Sequence, residues 1–317
     1  MSSKPSLLPP CGEGFPLTNS GFRNPPPEAG SPSEPHPRPA PLDGRGDPSD
    51  PQRMALRYDM FGASHKGHVR TRNEDSWWTD PTTGLAVVAD GMGGHPAGAD
   101  ASAVAVRAFV DAIRADTIGS SPDGGETMAL GVIAAHEGIR TAVGVEPKHE
   151  GMGTTLTAAR LSPSGRMTFA HVGDSRLYRL RDGELHALTR DHTWVAEAVE
   201  TGQIPPSAAA THPMAHVLTQ AVGIDAAPEP DVGEYDVREG DLLLLCSDGL
   251  TGPVAEDDIR GLLNEALGDD SLDEAPARLI AAALTRGGPD NITAVVVHAV
   301  GSSNGDSPTP ARPDAAG

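Results

Sequence analysis

The residues best suited to chemistry are carboxylates placed where apolar runs end. Asp90 follows the run Leu85–Ala89 and is itself followed by glycines. Asp248 comes shortly after the run Leu242–Cys246, and Asp290 lies in a turn just before another apolar run. Carboxylates crowded at the edge of a core repel one another and stay ionised only when cations lie among them. The pattern therefore favours an oxygen-ligand site for divalent metal ions.

The simpler interpretation of each motif is an ordinary Asp-Gly turn. It would suffice for Asp90 alone, but Asp248 repeats the construction far away in the sequence. Converging carboxylates could hold two cations roughly 3.5–4 Å apart, with a water between them activated for attack. No histidine pair forms an H-E-x-x-H motif, which disfavours zinc relative to Mg²⁺ or Mn²⁺. Cys11 and Cys246 lack the basic surroundings that activate a thiolate, so a cysteine nucleophile is not expected.

Arg70 is the candidate group for binding an anionic substrate. It opens the segment R-T-R-N-E-D, which ends in Glu74 and Asp75. A substrate that meets two metal ions must be anionic, and a guanidinium can bind phosphate through two parallel hydrogen bonds. The alternative is a plain surface charge. Glu74 and Asp75 could orient Arg70 or hold metal-bound water.

A layered body of strands and paired helices must bring these motifs together. Apolar runs predict strands, and apolar residues at i, i+3, i+4 and i+7 predict helices. The predicted helices are 99–115, 126–143, 255–267 and 271–285, and the predicted strands are 85–89, 154–161, 166–172, 176–181, 184–187, 241–246 and 292–300. The proline-containing stretch from about 192 to 223 breaks this regularity and predicts a mobile insert.

The two ends of the chain differ in composition from its middle. Residues 1–55 contain 14 of the 30 prolines, and residues 301–317 are mostly small or polar, so both are predicted to be disordered around a folded body at 56–300. Most of the net charge of −20 lies in that body, which argues against binding to nucleic acid or to an anionic membrane. No long apolar run, secretory signal or disulfide framework is visible, which predicts a cytoplasmic protein.

Seven sequence blocks occur in a fixed order along the body. They are G-H-V-R-T-R-N-E-D-S from Gly67, V-V-A-D-G-M-G-G-H from Val87, G-M-G-T-T-L from Gly151, H-V-G-D-S-R from His171, L-T-R-D-H-T from Leu188, L-C-S-D-G-L-T from Leu245 and G-P-D-N-I-T from Gly288. In these blocks the chain resembles the metal-dependent protein Ser/Thr phosphatases of the PP2C (PPM) family in their bacterial form. The resemblance spans roughly residues 58–299, and seven ordered blocks are far more specific than one Asp-Gly pair.

The resemblance implies an α+β fold and a set of metal ligands. The implied fold is a central β-sandwich of two mostly antiparallel sheets flanked by helix pairs. Two core Mn²⁺ or Mg²⁺ ions are implied, with Asp90 bridging both and the Gly91 carbonyl on one of them. Asp248 and Asp290 would bind the other ion. Asp174, together with Asp248, would form a weaker third metal site.

The same resemblance implies the substrate contacts and the reaction. Arg70 would bind the substrate phosphate, while Glu74 and Asp75 would hold the metal–water network. The implied reaction is hydrolysis of phosphoserine and phosphothreonine on proteins by a metal-bridged hydroxide, with the substrates of Ser/Thr kinases as partners. Two alternatives stay open: a regulator phosphatase dedicated to one substrate, and an inactive phosphoprotein-binding scaffold. A monomer is the default expectation, although the sequence does not specify the oligomeric state.

Two departures from the family pattern bear on mechanism and specificity. Animal members carry a His after Asp-Gly as a proposed general acid, whereas Met92 stands here, so a metal-bound water is left to protonate the leaving group. The stretch from about 192 to 223 falls where such enzymes carry a flap that shapes substrate access. Bacterial relatives usually read H-P-x-R-N-x-L-T-R there, but this chain reads H-P-M-A-H-V-L-T-Q from His212 to Gln220. The missing arginines could change substrate choice.

Overall fold

The structure is a computed structural model, and it describes residues 55–92, 97–116, 124–145, 151–224 and 226–302. The predicted disorder of residues 1–55 and 301–317 falls outside these ranges, except for Ala55, Gly301 and Ser302. That disorder and the 56–300 boundaries of the body stay predictions.

The strands of the described residues form two antiparallel sheets. They are β1 (Leu56–His65), β2 (Asp75–Asp80), β3 (Leu85–Met92), β4 (Gly153–Thr154), β5 (Leu156–Leu161), β6 (Arg166–Val172), β7 (Arg176–Arg181), β8 (Glu184–Ala187), β9 (Asp231–Asp236), β10 (Leu242–Cys246) and β11 (Ile292–Gly301). One sheet has the order β1-β11-β10-β7-β8. The other has the order β2-β3-β5-β6-β9, with β4 paired to β3. Every pairing in them is antiparallel.

The described residues form seven helices, of which the four longest cover the outer faces of the two sheets. They are α1 (Ala97–Asp116), α2 (Gly124–Val145), α3 (Trp194–Glu200), α4 (Pro206–Ala209), α5 (Asp248–Thr251), α6 (Glu256–Gly268) and α7 (Ala275–Thr285). Phe109 of α1 and Leu156 of β5 belong to one buried cluster, and Leu279 of α7 and Leu244 of β10 belong to another. A third cluster, between the sheets, contains Val88 of β3. The four layers confirm the α+β sandwich that the resemblance implies.

The strand that leads to the first metal motif is buried on both faces. Leu85, Val87 and Ala89 of β3 join the cluster beneath α1 and α2. Ala86 and Val88 point the other way, into the cluster between the sheets. A strand enclosed on both faces needs apolar residues at every position rather than at alternate ones. This explains why the buried parts of β3 and β10 consist of continuous apolar residues. It also explains why Asp90, the first charged residue of β3, lies at the edge of the core.

Sequence patterns predict the central strands better than the edge strands. The predicted strands 166–172, 176–181 and 184–187 occur with the same bounds, and each predicted helix overlaps an observed one. Strands β1, β2 and β9, which lie at the ends of their sheets, were not predicted. Each mixes charged with apolar residues because an edge strand is only half enclosed. The predicted strand 154–161 divides at Thr155 into β4 and β5.

Candidate metal centre

Asp90 lies at the centre of a group of buried carboxylates. It is paired directly with Asp75 across β2 and β3. Burial raises the pKa of Asp90 well above its usual range, and the negative charges of Asp75, Asp248, Asp174 and Asp290 raise it further. All these charges can act on one carboxylate only if they lie near it. The structure thus brings together the five aspartates that the sequence singled out.

Asp248 begins helix α5 directly after strand β10. Burial and then the charge of Asp290 raise the pKa of Asp248. Its Oδ1 is buried and accepts no hydrogen bond from the described residues. Gly249 follows because a Cβ at that position would overlap the backbone carbonyl of Asn291. The glycine thus allows the S-D-G and P-D-N turns to lie against each other, which places Asp248 and Asp290 in one site.

Arg70 reaches the same group of carboxylates. Its Nη2 donates a hydrogen bond of 2.7 Å to Asp290 Oδ2, while 47 % of the side chain stays exposed. Burial lowers the pKa of Arg70, but the bond and charge of Asp290 and the charges of Asp90 and Glu74 outweigh it, so the pKa is raised. The guanidinium therefore faces the carboxylates on one side and solvent on the other, as a ligand for an incoming anion requires.

Asp75 is held rigidly beneath the other carboxylates. Its Oδ2 accepts hydrogen bonds from Ser247 Oγ at 2.8 Å and from Thr293 Oγ1 at 2.6 Å. Its Oδ1 is buried and has no hydrogen-bond partner among the described residues. Burial raises the pKa of Asp75 to about 7, against the lowering effect of the two hydroxyl bonds. One oxygen is thus fixed by the protein, and the other is left for a water or a cation.

Glu74 and Gly91 meet at the start of helix α1. The Gly91 N–H donates to the Glu74 carbonyl at 3.2 Å. A Cβ on Gly98 would collide with the Glu74 carboxylate and press on the Gly91 carbonyl oxygen. Gly98 therefore leaves room for the Glu74 carboxylate and the Gly91 carbonyl. Gly91 is itself fixed by its pairing with Thr154 across β3 and β4.

Asp174 lies in the bend between β6 and β7. Burial and then the charges of Asp248 and Asp191 raise the pKa of Asp174 to about 8, although Arg176 lowers it. The residue before it is fixed by His192: the Gly173 N–H donates to His192 Nδ1 at 3.3 Å, and the His192 N–H donates to the Gly173 carbonyl at 2.7 Å. The sequence predicted Asp174 but not the histidine that holds its loop.

The donor atoms fit hard divalent cations. The site offers several carboxylate oxygens, and buried oxygens of Asp75 and Asp248 have no hydrogen-bond partner in the part of the chain that the structure describes. Such a set suits Mg²⁺ or Mn²⁺. Among the described residues, no three Asp, Glu, His or Cys side chains already stand at the spacing of ligands around one ion. Mutual repulsion holds carboxylates apart, so a bound cation would draw them together.

Two threonines fix the backbone of Asp90 from the neighbouring strands. Thr154 Oγ1 donates to the Asp90 carbonyl at 2.8 Å, and the Thr155 N–H donates to the same carbonyl at 2.9 Å. The Asp90 N–H donates to Thr155 Oγ1 at 2.9 Å. The break between β4 and β5 thus serves to hold Asp90. The sequence block G-M-G-T-T-L was the signal for these residues, and it indicates support rather than reaction.

Asn291 is a site residue whose role the sequence did not show. It is 3 % exposed, and its Oδ1 accepts a hydrogen bond of 2.8 Å from the Glu74 N–H. Its Nδ2 donates to the carbonyls of Lys66 and Arg72 at 2.9 and 2.8 Å. One amide side chain therefore closes the loop that carries Arg70 onto the P-D-N turn.

Asn291→Ala is expected to lower the free energy of unfolding by about 3 kcal/mol, because one buried and two partly buried backbone groups lose their partner. Urea denaturation measures this change. Asn264→Ala is the matched control, since Asn264 Nδ2 also donates to two carbonyls but lies in a half-exposed position. It should cost about 1 kcal/mol or less. Equal losses in both variants would contradict the anchoring role of Asn291.

Comparisons with known proteins agree with this geometry. The family model described as "Protein phosphatase 2C" matches residues 61–284. The chain is 40 % identical over 250 residues to serine/threonine protein phosphatase PstP of Mycobacterium tuberculosis, which covers 78 % of this chain and 46 % of PstP. It is 37 % identical over 237 residues to serine/threonine phosphatase stp of Listeria welshimeri, covering 74 % of this chain and 92 % of that protein.

A solved structure extends the comparison to three dimensions. It is the catalytic domain of PstP in complex with two manganese ions, which has 38 % identity and a TM-score of 0.68 and covers 77 % of this chain and 99 % of that domain. The chain thus spans less than half of full-length PstP but nearly all of its catalytic domain. Sequence blocks, fold and matched family model lead to the same conclusion: the chain belongs to the protein phosphatase 2C family.

Proposed function

We propose that this chain is a Mn²⁺- or Mg²⁺-dependent phosphatase that hydrolyses phosphoserine and phosphothreonine on proteins. The observation that carries the proposal is the convergence of Asp90, Asp248 and Asp290 with Arg70 hydrogen-bonded to Asp290. Membership of the protein phosphatase 2C family supports it, as do relatives named serine/threonine phosphatases. PstP, whose catalytic domain binds two manganese ions, supports the choice of metal.

We assign the metal ligands as the sequence predicts them. Asp90 would hold both core ions, with the Gly91 carbonyl on one of them and Asp248 and Asp290 on the other. Asp174 and Asp248 would hold a weaker third ion. Bound ions would supply an activated water and neutralise charge on the phosphate.

The remaining residues position the substrate and the solvent. Arg70 binds the phosphate with the part of its guanidinium that Asp290 leaves free, which fixes the phosphorus for in-line attack. Asp75 and Glu74 accept hydrogen bonds from ordered water, and the unpartnered Oδ1 of Asp75 provides one acceptor. Met92, at the end of β3, has no proton to give. We therefore assign protonation of the leaving group to water at the site.

Hydrolysis of phosphopeptides by the full chain tests the proposal. Peptides containing phosphoserine, phosphothreonine or phosphotyrosine are incubated with Mn²⁺, with Mg²⁺ or with EDTA, and released phosphate is measured. We expect metal-dependent hydrolysis of the first two classes and none in EDTA. A chain that binds Mn²⁺ but releases no phosphate would overturn the activity and favour a phosphoprotein-binding scaffold. Activity confined to one peptide in a broad panel would indicate a dedicated regulator phosphatase.

Arg70→Ala is expected to lower kcat/KM for phosphopeptides on the order of 100-fold, because it removes a charge-assisted bond to the phosphate. Arg72→Ala is the matched control, since that exposed residue lies two positions away and its carbonyl, which accepts a bond from Asn291, is kept in the variant. It should keep most of the activity. Steady-state kinetics at saturating Mn²⁺ distinguish the two. Equal losses in both variants would remove Arg70 from the site.

The proposal extends to partners and compartment. The partners are phosphorylated proteins made by Ser/Thr kinases, and the acidic surface argues against nucleic acid and anionic membranes. None of the helices in the described part of the chain combines the length and apolarity that a membrane crossing needs. Cys246 is buried and unpaired, which fits a reducing compartment such as the cytoplasm. We take the protein to act as a monomer.

A further inference from the structure

The flap, residues 192–223, is anchored beside the loop that carries Asp174. Its first residue, His192, is bonded to Gly173 through both its backbone and its imidazole. The far end of the flap returns to the same place, because the Thr219 N–H donates to the His192 carbonyl at 2.9 Å. The Trp194 N–H also donates to the Val217 carbonyl at 2.9 Å. Both ends of the flap are therefore tied together next to Asp174.

The flap carries two histidines, and they have different surroundings. His212 stacks on Trp194 with ring centroids 4.9 Å apart, and its Nδ1 accepts a hydrogen bond of 3.1 Å from the Met214 N–H. The side chain of His216 is 82 % exposed, and its Nδ1 lies 3.9 Å from Asp248 Oδ2. His212 thus supports the flap, whereas His216 presents an imidazole to the metal centre.

His216 is the flap residue that brings a possible metal ligand close to Asp248. Residues 201–223 of the flap contain no Asp, Glu, Lys or Arg, so this part of the flap, which carries His216, brings no carboxylate, ammonium or guanidinium group. Across from His216, Asp248 has a buried Oδ1 without a partner among the described residues, and its charge acts on Asp174. The His216 imidazole and the Asp248 carboxylate therefore lie beside each other although they come from separate elements, and the Asp248 charge also acts on Asp174.

The distance between His216 and Asp248 suits two ligands of one ion. Metal–nitrogen and metal–oxygen bonds of about 2.1 Å place two neighbouring ligand atoms roughly 3–3.5 Å apart. The observed 3.9 Å therefore needs to shorten by less than about 1 Å. An exposed side chain at the end of a flap can make that movement by a change of rotamer.

We propose that His216 is a flap-borne ligand of a divalent ion that it shares with Asp174 and Asp248, so that filling this site draws the flap onto the metal centre. The inference rests on the metal-site assignment of the proposed function. It adds a nitrogen ligand to an otherwise oxygen-lined site, which favours Mn²⁺ over Mg²⁺ there. It also makes substrate access depend on occupancy of the third site.

Binding of Mn²⁺ to the full chain, without substrate, tests this inference. Wild type is compared with His216→Asn and with His212→Asn, which removes the other flap imidazole. Three measurements are made: a Mn²⁺ binding isotherm, the modulation of the Mn²⁺ electron spin echo by a coupled ¹⁴N nucleus, and hydrogen–deuterium exchange of flap peptides with and without Mn²⁺. The first counts the ions, the second detects an imidazole ligand directly, and the third reports flap closure.

In wild type we expect a ¹⁴N signal from the weakest Mn²⁺ site and slower flap exchange when that site fills. His216→Asn should weaken that site about ten-fold or more, abolish the ¹⁴N signal and remove the protection, with the two tighter ions unchanged. His212→Asn should retain the ¹⁴N signal. A wild-type protein without ¹⁴N coupling, or a His216→Asn variant that keeps it, would overturn the inference.

Failure of the underlying function would look different. Full Mn²⁺-dependent hydrolysis with two tightly bound ions and no effect of His216→Asn would overturn the flap ligand alone. A chain that binds no Mn²⁺, or whose Mn²⁺ binding is unchanged by Asp248→Asn, would overturn the metal-site assignment and the flap ligand with it.

Discussion

Asp90→Asn is expected to lower kcat/KM at saturating Mn²⁺ by at least about a thousand-fold, in line with the loss of a central group for charge stabilisation. The same change should leave the metal-free protein as stable as the wild type or more stable. Asp90 is a buried carboxylate surrounded by the charges of Asp75 and Asp248. A neutral amide of the same shape removes that repulsion but cannot bridge two cations.

Two measurements check this expectation together. Phosphopeptide hydrolysis gives the kinetic loss, and thermal melts in EDTA and in Mn²⁺ give the stability. Wild type should melt at a higher temperature with Mn²⁺, and most of that increase should vanish in Asp90→Asn. Asp257→Asn is the control, because the Asp257 side chain is 85 % exposed on α6 and should change neither quantity. Activity within ten-fold of wild type would remove Asp90 from the centre of the mechanism.

Removal of the metal is expected to make stability depend on pH in an unusual direction. In the metal-free fold, burial raises the pKa of Asp75 to about 7 and the pKa of Asp174 to about 8. Unfolded aspartates titrate near about 3.9, so between these values the folded chain binds protons that the unfolded chain releases. The stabilisation from protonation is complete below about pH 4 and is lost as pH rises through 7 and 8.

The melting temperature in EDTA should therefore fall by more than about 10 °C between pH 5 and pH 8.5, because each unit of pKa shift is worth about 1.4 kcal/mol and 1 kcal/mol shifts the melting temperature by about 2–4 °C in a body of this size. Mn²⁺ should flatten the curve, because a bound cation offsets the ionised carboxylates. Asp75→Asn should reduce the slope in EDTA, and Asp257→Asn should not. A melting temperature that rises over this interval, or that falls equally with Mn²⁺ present, would contradict the electrostatic description of the site.

The sequence predicted the central strands because enclosure on both faces demands continuous apolar runs. It predicted Asp90 and Asp248 because a carboxylate within two residues of the end of such a run lies at the boundary of the core. The edge strands β1, β2 and β9 escaped prediction because they are half exposed and carry mixed side chains. Asn291 escaped as well, since an amide that bonds three distant backbone groups leaves no periodic pattern.

The sequence by itself determined the family, the layered α+β architecture and the types of residue that can bind hard cations. These follow from local patterns and from the order of short motifs. Only the tertiary structure decided which oxygens are left without partners, that Arg70 bonds to Asp290, and that His216 of the flap lies beside Asp248. Such contacts join residues that are far apart in the chain. They arise when the strands of two sheets and the flap pack together. A local sequence pattern does not specify which distant residues will then be in contact.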